Sequence, residues 1–221
     1  MKNFKETRKK RNIKQIVLSA VMLFVLVAGW SYPVLGIFIF ICMISGIAIG
    51  FFKGRKWCDW YCPRGSFLDF MGKKISPGKN IPAALKNKWL RIGVIVFLMG
   101  MMVFQITRRW PDQEKIGLVF MTLLTVTTVI SLILSFFVHQ RTWCFLCPVG
   151  TIASGAGAKK YKIKLESEKC TLCGACARVC PVQIIPHSYK GEGTVRVGDK
   201  DCIKCGLCVS ACPEQALKKP E

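Results

Sequence analysis

The sequence predicts an α-helical membrane bundle, four transmembrane helices in two hairpins, followed by a small, cysteine-rich α+β domain. Three observations predict it. Hydrophobic residues make up 52% of the 221 positions and fall in long blocks; the 33 Lys and Arg, against 12 Asp and Glu, border those blocks; and eight of the 13 cysteines stand in the last quarter of the chain in two equal spacings.

Residues 1–12 read as a basic cytoplasmic tail. The run from Gln15 to Phe52 carries no charge, and at about 1.5 Å per helical residue it is roughly twice the length that a ~30 Å hydrocarbon core takes from one helix. It must fold back, and Gly29-Trp30-Ser31-Tyr32-Pro33 supplies the turn, with helix breakers and two interfacial aromatics. Hairpin one, residues 13–52, then holds spans from about Ile13 to Trp30 and from Pro33 to Phe52. A loop over 53–88 leads to hairpin two, residues 89–138, with spans Trp89 to Thr107 and Ile116 to Val138 around a polar link, Arg108 to Lys115. Arg91 lies near the start of the third span, where a long side chain is expected to snorkel to the headgroups. In the last span Thr122, Thr125, Thr128, Ser131 and Ser135 form a stripe expected to pack closely, its hydroxyls bonded within the bundle.

The net charge of +21 has a location. Lys2, Lys5, Arg8, Lys9, Lys10, Arg11 and Lys14 precede the first span, and Lys53, Arg55, Lys56, Arg64, Lys73, Lys74, Lys79, Lys86 and Lys88 lie between the hairpins, whereas the first turn is uncharged. Under the positive-inside rule this predicts a multi-pass protein of a bacterial or archaeal cell membrane with both termini in the cytoplasm. Basic residues that border apolar spans imply the lipid bilayer as partner rather than nucleic acid. The first apolar run leads straight into a second one, so it is expected to stay as an anchor rather than be cleaved.

Cys170-Cys173-Cys176-Cys180-Pro181 and Cys202-Cys205-Cys208-Cys212-Pro213 both obey CxxCxxCxxxCP. Three cysteines at intervals of three can curl round one corner of a cubane, while the backbone before the fourth carries its thiolate to the neighbouring cluster. The runs therefore predict two [4Fe-4S] clusters, the first on Cys170, Cys173, Cys176 and Cys212, the second on Cys202, Cys205, Cys208 and Cys180. Gly174 and Gly206 occupy the same place in each run, where a bare backbone can approach the sulfurs. Structural zinc favours separated CxxC pairs, and a reducing cytoplasm removes disulfides. Residues 161–221 thus read as a bacterial-type 2[4Fe-4S] ferredoxin domain.

A second pair of motifs lies at the membrane face, in the 53–88 loop and in residues 139–160. Trp57-Cys58-Asp59-Trp60-Tyr61-Cys62-Pro63-Arg64-Gly65-Ser66 follows the second span, and Trp143-Cys144-Phe145-Leu146-Cys147-Pro148-Val149-Gly150-Thr151 follows the fourth. Each precedes a lysine pair, Lys73-Lys74 and Lys159-Lys160, so the chain reads as a duplicated hairpin with cysteines at each cytoplasmic exit. Three readings of Cys58, Cys62, Cys144 and Cys147 stay open: a third metal or cluster site, a redox-active dithiol whose pKa is depressed by Lys53, Arg55, Lys56, Arg64 and Arg141, and apolar packing of the kind expected of Cys42.

Four spans, a CxxxCP after the second, a CP motif after the fourth and a C-terminal dicluster domain resemble the membrane polyferredoxin family of NapH/NosR type, over nearly the whole chain. The second pair departs from the family pattern, Cys144 and Cys147 being one residue tighter than its usual gap, and the large extracytoplasmic flavin-binding region of the NosR-type members is absent. The resemblance implies membrane-bound electron transfer connecting the quinone pool or a cytoplasmic donor with a partner reductase or its maturation; relatives with a similar core include copper reductases.

Haem is not expected, because a membrane b-haem takes two histidines within the bundle and this chain has only His139 and His187. His139 reads as an interfacial polar residue, with a quinone hydrogen bond as its functional alternative. From Lys159 to Glu221 there are twelve Lys or Arg against seven Asp or Glu, which suits either compensation of anionic clusters or docking of an acidic carrier such as a flavodoxin or ferredoxin. Single-electron transfer between a cytoplasmic donor or the quinone pool and a partner reductase is the expected function. A copper or iron reductase using the CP cysteines and a redox sensor or maturation factor are its alternatives.

Overall fold

The computed structural model describes residues 2–157 and 161–219; the lysine pair Lys159-Lys160 lies outside them. Helices α1 (Lys2–Ser31) and α2 (Leu35–Lys53) form the first hairpin, and short α3 (Lys56–Trp60) and α4 (Pro63–Phe67) carry the first CP motif. Helix α4 runs on through a π turn, Leu68–Gly72, into α5 (Lys73–Ile75). The second hairpin is α6 (Lys88–Arg109) and α7 (Gln113–Phe137), and α8 (Trp143–Leu146) and α9 (Pro148–Ala156) carry the second motif. In the head, β1 (Lys164–Glu166), α10 (Ala175–Arg178), β2 (Thr194–Arg196), α11 (Leu207–Ala211) and β3 (Leu217–Lys218) follow. The three strands make one antiparallel sheet ordered β2-β1-β3, with Leu165 opposite both Val195 and Leu217.

Four helices, α1 from Phe4, α2, α6 and α7, are long and apolar enough to cross a membrane. Their outward faces are apolar too: Phe24, Val27, Val96, Phe97 and Phe136 are each more than half exposed, a surface suited to hydrocarbon rather than water. The basic tail is not separate from the first span. It is helical and continuous with it, because Arg11 and Gln15 find buried partners that hold this turn against the first motif.

Small residues set the packing. Gly36 on α2 faces Gly117 on α7 so closely that a Cβ on either would land on backbone, the Gly117 carbonyl or the Pro33 carbonyl. The polar stripe of α7 resolves locally: Thr122, Thr125, Thr128, Ser131 and Ser135 each donate to the carbonyl four residues back, at 2.5 to 2.9 Å. Its hydroxyls are bonded within their own helix, which leaves a smooth face for α7 to pack.

The head sits on the helical bundle through a shared core. Cys58, Ile81 and Phe145 from the two motifs and their loop are buried in one cluster with Ile163, Leu165, Val182, Ile203 and Leu217 of the head. The 53–88 loop is also stitched to the head: Gln183 accepts from the Ile81 amide and donates to the Lys79 carbonyl, both at 2.9 Å.

Candidate functional site

The duplicated cysteine runs impose a duplicated backbone. Leu172 and Lys204, Gly174 and Gly206, and Gln183 and Gln215 occupy matching places and all have positive φ, between 49° and 80°. Gly174 and Gly206 precede the first residues of α10 and α11, where a left-handed turn costs glycine least. These turns aim the runs inward. Cys170, Cys173, Cys176 and Cys212 line one cavity of about 350 Å³, and Cys180, Cys202, Cys205 and Cys208 line a second of about 360 Å³. Each pocket thus takes three cysteines from one run and the fourth from the other, and four thiols so placed suit the cubane chemistry of the spacing. His187 stands beside the first set, its Nδ1 3.5 Å from Cys176 Sγ, and an amide, Ile184 N, donates to Cys180 Sγ at 3.3 Å. The sets differ in access: Cys173 is exposed, whereas Cys205 and Cys208 are buried in the core shared with Cys58.

Each CP motif starts a helix on its proline. Pro63 and Pro148 take the first turn of α4 and α9, where a missing N–H costs nothing. Cys62 caps α4 by accepting from Gly65 N at 3.4 Å. Arginine side chains then cross between the motifs. Arg141 Nη1 donates to the Cys58 carbonyl at 2.9 Å, and Arg55 Nη2 donates to the Cys144 carbonyl. Each arginine stands three residues before its own motif's first cysteine and bonds the first cysteine of the other. Gly65 and Gly150 clear the way, since a Cβ on either would press the same carbonyl and the same guanidinium.

Two carboxylate clasps fix this arrangement. Asp59 and Asp69 are shared by Arg11 and Arg141: Arg141 Nε reaches Asp69 Oδ1 at 2.7 Å, Arg141 Nη2 reaches Asp59 Oδ1 at 3.0 Å, Arg11 Nη2 reaches Asp59 Oδ1 at 2.7 Å and also contacts Asp69, and Gln15 adds a bond to Asp69 at 2.6 Å. Burial would raise the Asp69 carboxyl, but the charges and hydrogen bonds of Arg141 and Arg11 hold it below the ordinary range. Asp201, immediately before Cys202, accepts from Arg55 Nη1 at 2.9 Å and from both Nη atoms of Arg91 at 2.8 Å. Arg91 therefore does not snorkel to headgroups. It is 2% exposed and turns to the head, because a buried bidentate carboxylate outcompetes solvation at the membrane face.

At Cys58 and Cys62 the environment runs against the expectation of depressed thiol pKa values. Burial pushes the Cys58 thiol up to about 11 and the Cys62 thiol up to about 12, outweighing Arg55 and Arg141 near the first and Arg64 near the second. Arg55 and Arg141 spend most of their donors on carbonyls and carboxylates, so the Cys58 and Cys62 pair is not built as a low-pKa dithiol. Among the described residues no group of three or more His, Cys, Asp or Glu is gathered tightly enough to hold a single metal ion. Cys58 and Cys144 are buried, while Cys62 and Cys147 face a half-open cavity of about 140 Å³ in the helix bundle. Its walls are apolar side chains of α1, α2, α6 and α7, Cys42 among them. At its motif end Arg64 donates to Thr127 Oγ1 at 2.8 Å and to Cys147 Sγ at 3.3 Å, and the buried indole N–H of Trp143 has no hydrogen-bond partner among the described residues. His139 lies elsewhere, buried, with Nδ1 accepting from the Arg141 amide at 3.2 Å; burial holds its pKa below the usual value.

Comparison with known proteins agrees with this geometry. Residues 169–216 match the 4Fe-4S dicluster domain family, and residues 35–82 and 117–164, which contain the two CP motifs, each match the 4Fe-4S binding domain family. An uncharacterized protein of Methanocaldococcus jannaschii is 27% identical over 152 residues, 65% of this chain and 58% of its own length. The methylamine utilization ferredoxin-type protein MauN of Methylobacillus flagellatus is 29% identical over 143 residues, 59% of this chain and 49% of its own. The putative electron transport protein YccM of Escherichia coli is 24% identical over 163 residues, 64% and 45%. The chain spans about half the length of these relatives, and no solved structure matches. The matches support an iron-sulfur, ferredoxin-type family with an electron-transfer role, without singling out the NapH/NosR type.

Proposed function

We propose that this protein is a membrane-anchored carrier of single electrons between a soluble cytoplasmic partner and the membrane, with a partner reductase at one end of the chain of transfer. The observation that carries the reading is the shared core: the buried Cys205 and Cys208 pack in one cluster with Cys58 of the first CP motif, while Cys173 on the other set faces solvent. Two [4Fe-4S] clusters, one on Cys170, Cys173, Cys176 and Cys212 and one on Cys180, Cys202, Cys205 and Cys208, supply one-electron chemistry when bound. The chain contributes position. Asp201 ties the second set to Arg55 and Arg91 of the membrane domain, and Leu172, 53% exposed, presents an apolar contact beside Cys173 to a docking partner.

On the membrane side the partner is a lipid-soluble quinone. The cavity beneath Cys62 and Cys147 offers apolar walls for an isoprenoid tail, with the Arg64 guanidinium and the unpartnered Trp143 N–H at the end where a quinone oxygen needs donors. Anaerobic purification with iron and acid-labile sulfide analysis tests the cofactor content. About eight irons per chain are expected from the two runs, about twelve would add a cluster on the CP motifs, and iron-free protein would overturn the proposal.

A further inference from the structure

A second cleft lies between α1, the first CP motif and the head, about 690 Å³ in volume, and four lysines line it: Lys14, Lys56, Lys204 and Lys219. No acidic side chain among the described residues lines it. Two of the ammonium groups, those of Lys14 and Lys56, stand over aromatic rings. Lys14 Nζ lies 5.4 Å from the Trp60 ring centroid and 5.5 Å from that of Tyr61, and Lys56 Nζ lies 5.1 Å from the Tyr161 ring and 3.5 Å from its hydroxyl. Lys204 is 9% exposed and has neither a hydrogen bond nor an ion pair with any described residue. The charges around it are mixed, Asp199, Cys202 and Cys208 favouring its ammonium and Lys162 opposing it, and a buried ammonium compensated only in part is costly. Charge on the neighbouring cysteine runs could offset Lys204 alone, because Lys14 and Lys56 come from the membrane domain, outside both runs.

We propose that this cleft binds a phosphate group, presented either by an anionic phospholipid headgroup or by a free phosphorylated ligand. A phosphate dianion has the oxygen count to accept from several ammonium groups at once, and two tyrosines and a tryptophan at this level suit the membrane interface. Lys14 and Lys56 belong to the membrane domain while Lys204 and Lys219 belong to the head, so an anion between them converts repulsion across the junction into attraction. The occupant is thus a reversible clamp on head docking. The lipid source rests on the membrane reading above; the free-phosphate source does not.

The test uses the full-length protein in phosphatidylcholine nanodiscs, with hydrogen exchange of residues 161–166 and 217–219 as readout. Adding phosphatidylglycerol to the discs, or titrating inorganic phosphate into pure phosphatidylcholine discs, is expected to slow exchange there, the first identifying the lipid and the second the free ligand. Lys14→Gln and Lys56→Gln should each weaken the effect about fivefold and together about 25-fold, the worth of a basic residue against an anionic surface. Lys219→Gln, an exposed residue, repeats the measurement should the other variants not fold. Unchanged exchange with both additions, or equal affinity in parent and Lys-to-Gln variants, would overturn the proposal. Protein that stays soluble without detergent would sink the membrane reading while leaving the phosphate arm readable.

Discussion

Asp201 is the place where a single carboxylate ties the cysteine-rich head to the helical bundle. Replacing it in Asp201→Ala removes three charge-assisted bonds, from Arg55 Nη1 at 2.9 Å and from the two Nη atoms of Arg91 at 2.8 Å, and leaves two guanidinium groups that are 1% and 2% exposed without a counter-charge. What remains to Arg91 is a 3.4 Å contact to the Leu85 carbonyl, too long to compensate, and the face of the Phe145 ring 5.2 Å away, which supplies no counter-charge. Breaking a buried ion pair from one side costs about 3–5 kcal/mol, so thermal or denaturant unfolding of the detergent-solubilised protein should show a loss of that size. The double variant Asp201→Leu/Arg91→Met should recover most of it, because the penalty comes from the orphaned charge. Acid narrows the gap between parent and Asp201→Ala. Burial would raise the Asp201 carboxyl, but the hydrogen bonds from Arg91 and the charges of Arg55 and Arg91 hold it low. With a depressed folded pKa the clasp contributes fully above the unfolded value of about 3.9 and fades as pH falls through the folded one. A loss under about 1 kcal/mol for Asp201→Ala at pH 7 would refute this account of the junction.

Trp143→Phe should cost about 1–2 kcal/mol of unfolding free energy, from the ring volume lost in the buried cluster with Leu68 and Leu146 rather than from the indole N–H; quinone binding should weaken by about 5–10-fold, and unchanged binding would remove Trp143 from that site. Alkylation of Cys58 and Cys62 at pH 8 should run more than tenfold slower than that of a free thiol and rise with pH toward 11 and 12; reaction at the free-thiol rate would restore the dithiol reading. Gly117→Ala puts a methyl onto the Pro33 carbonyl and should cost about 1–3 kcal/mol of unfolding free energy; a neutral result would mean that the two hairpins do not meet as closely as drawn.

Much of the architecture was legible because it is local. The uncharged run from Gln15 to Phe52 and the break at Gly29 to Pro33 correspond to helices ending at Ser31 and starting at Leu35. The cysteine spacing separates the same two sets of four that line the two cavities. What local pattern could not give were pairings across long stretches of chain. Arg91 resembles a snorkelling residue until Asp201, 110 positions later, is seen to be its partner, and Arg55 and Arg141 resemble activators of thiols until their shorter bonds are traced to carbonyls and carboxylates, with one long contact from Arg141 to Cys144 Sγ at 3.9 Å. Two signals were there to be used. An arginine stands three residues before the first cysteine in both Arg55-Lys56-Trp57-Cys58 and Arg141-Thr142-Trp143-Cys144, and in a chain with only 12 acidic residues, Asp59, Asp69 and Asp201 sit within or beside cysteine motifs.

The exchange of arginines between the motifs is self-complementary. Arg55 serves the half that contains Cys144 and Arg141 serves the half that contains Cys58, so neither hairpin on its own can fill the contacts its own motif presents. Cut apart, each half would carry an unclaimed carbonyl and a guanidinium with nowhere to go, and the economical way to satisfy both is for the fragment to find a second copy of itself about a two-fold axis. The single chain ties that symmetric partner permanently in place, which frees one side to acquire Asp59 while the other keeps Phe145 in the matching position.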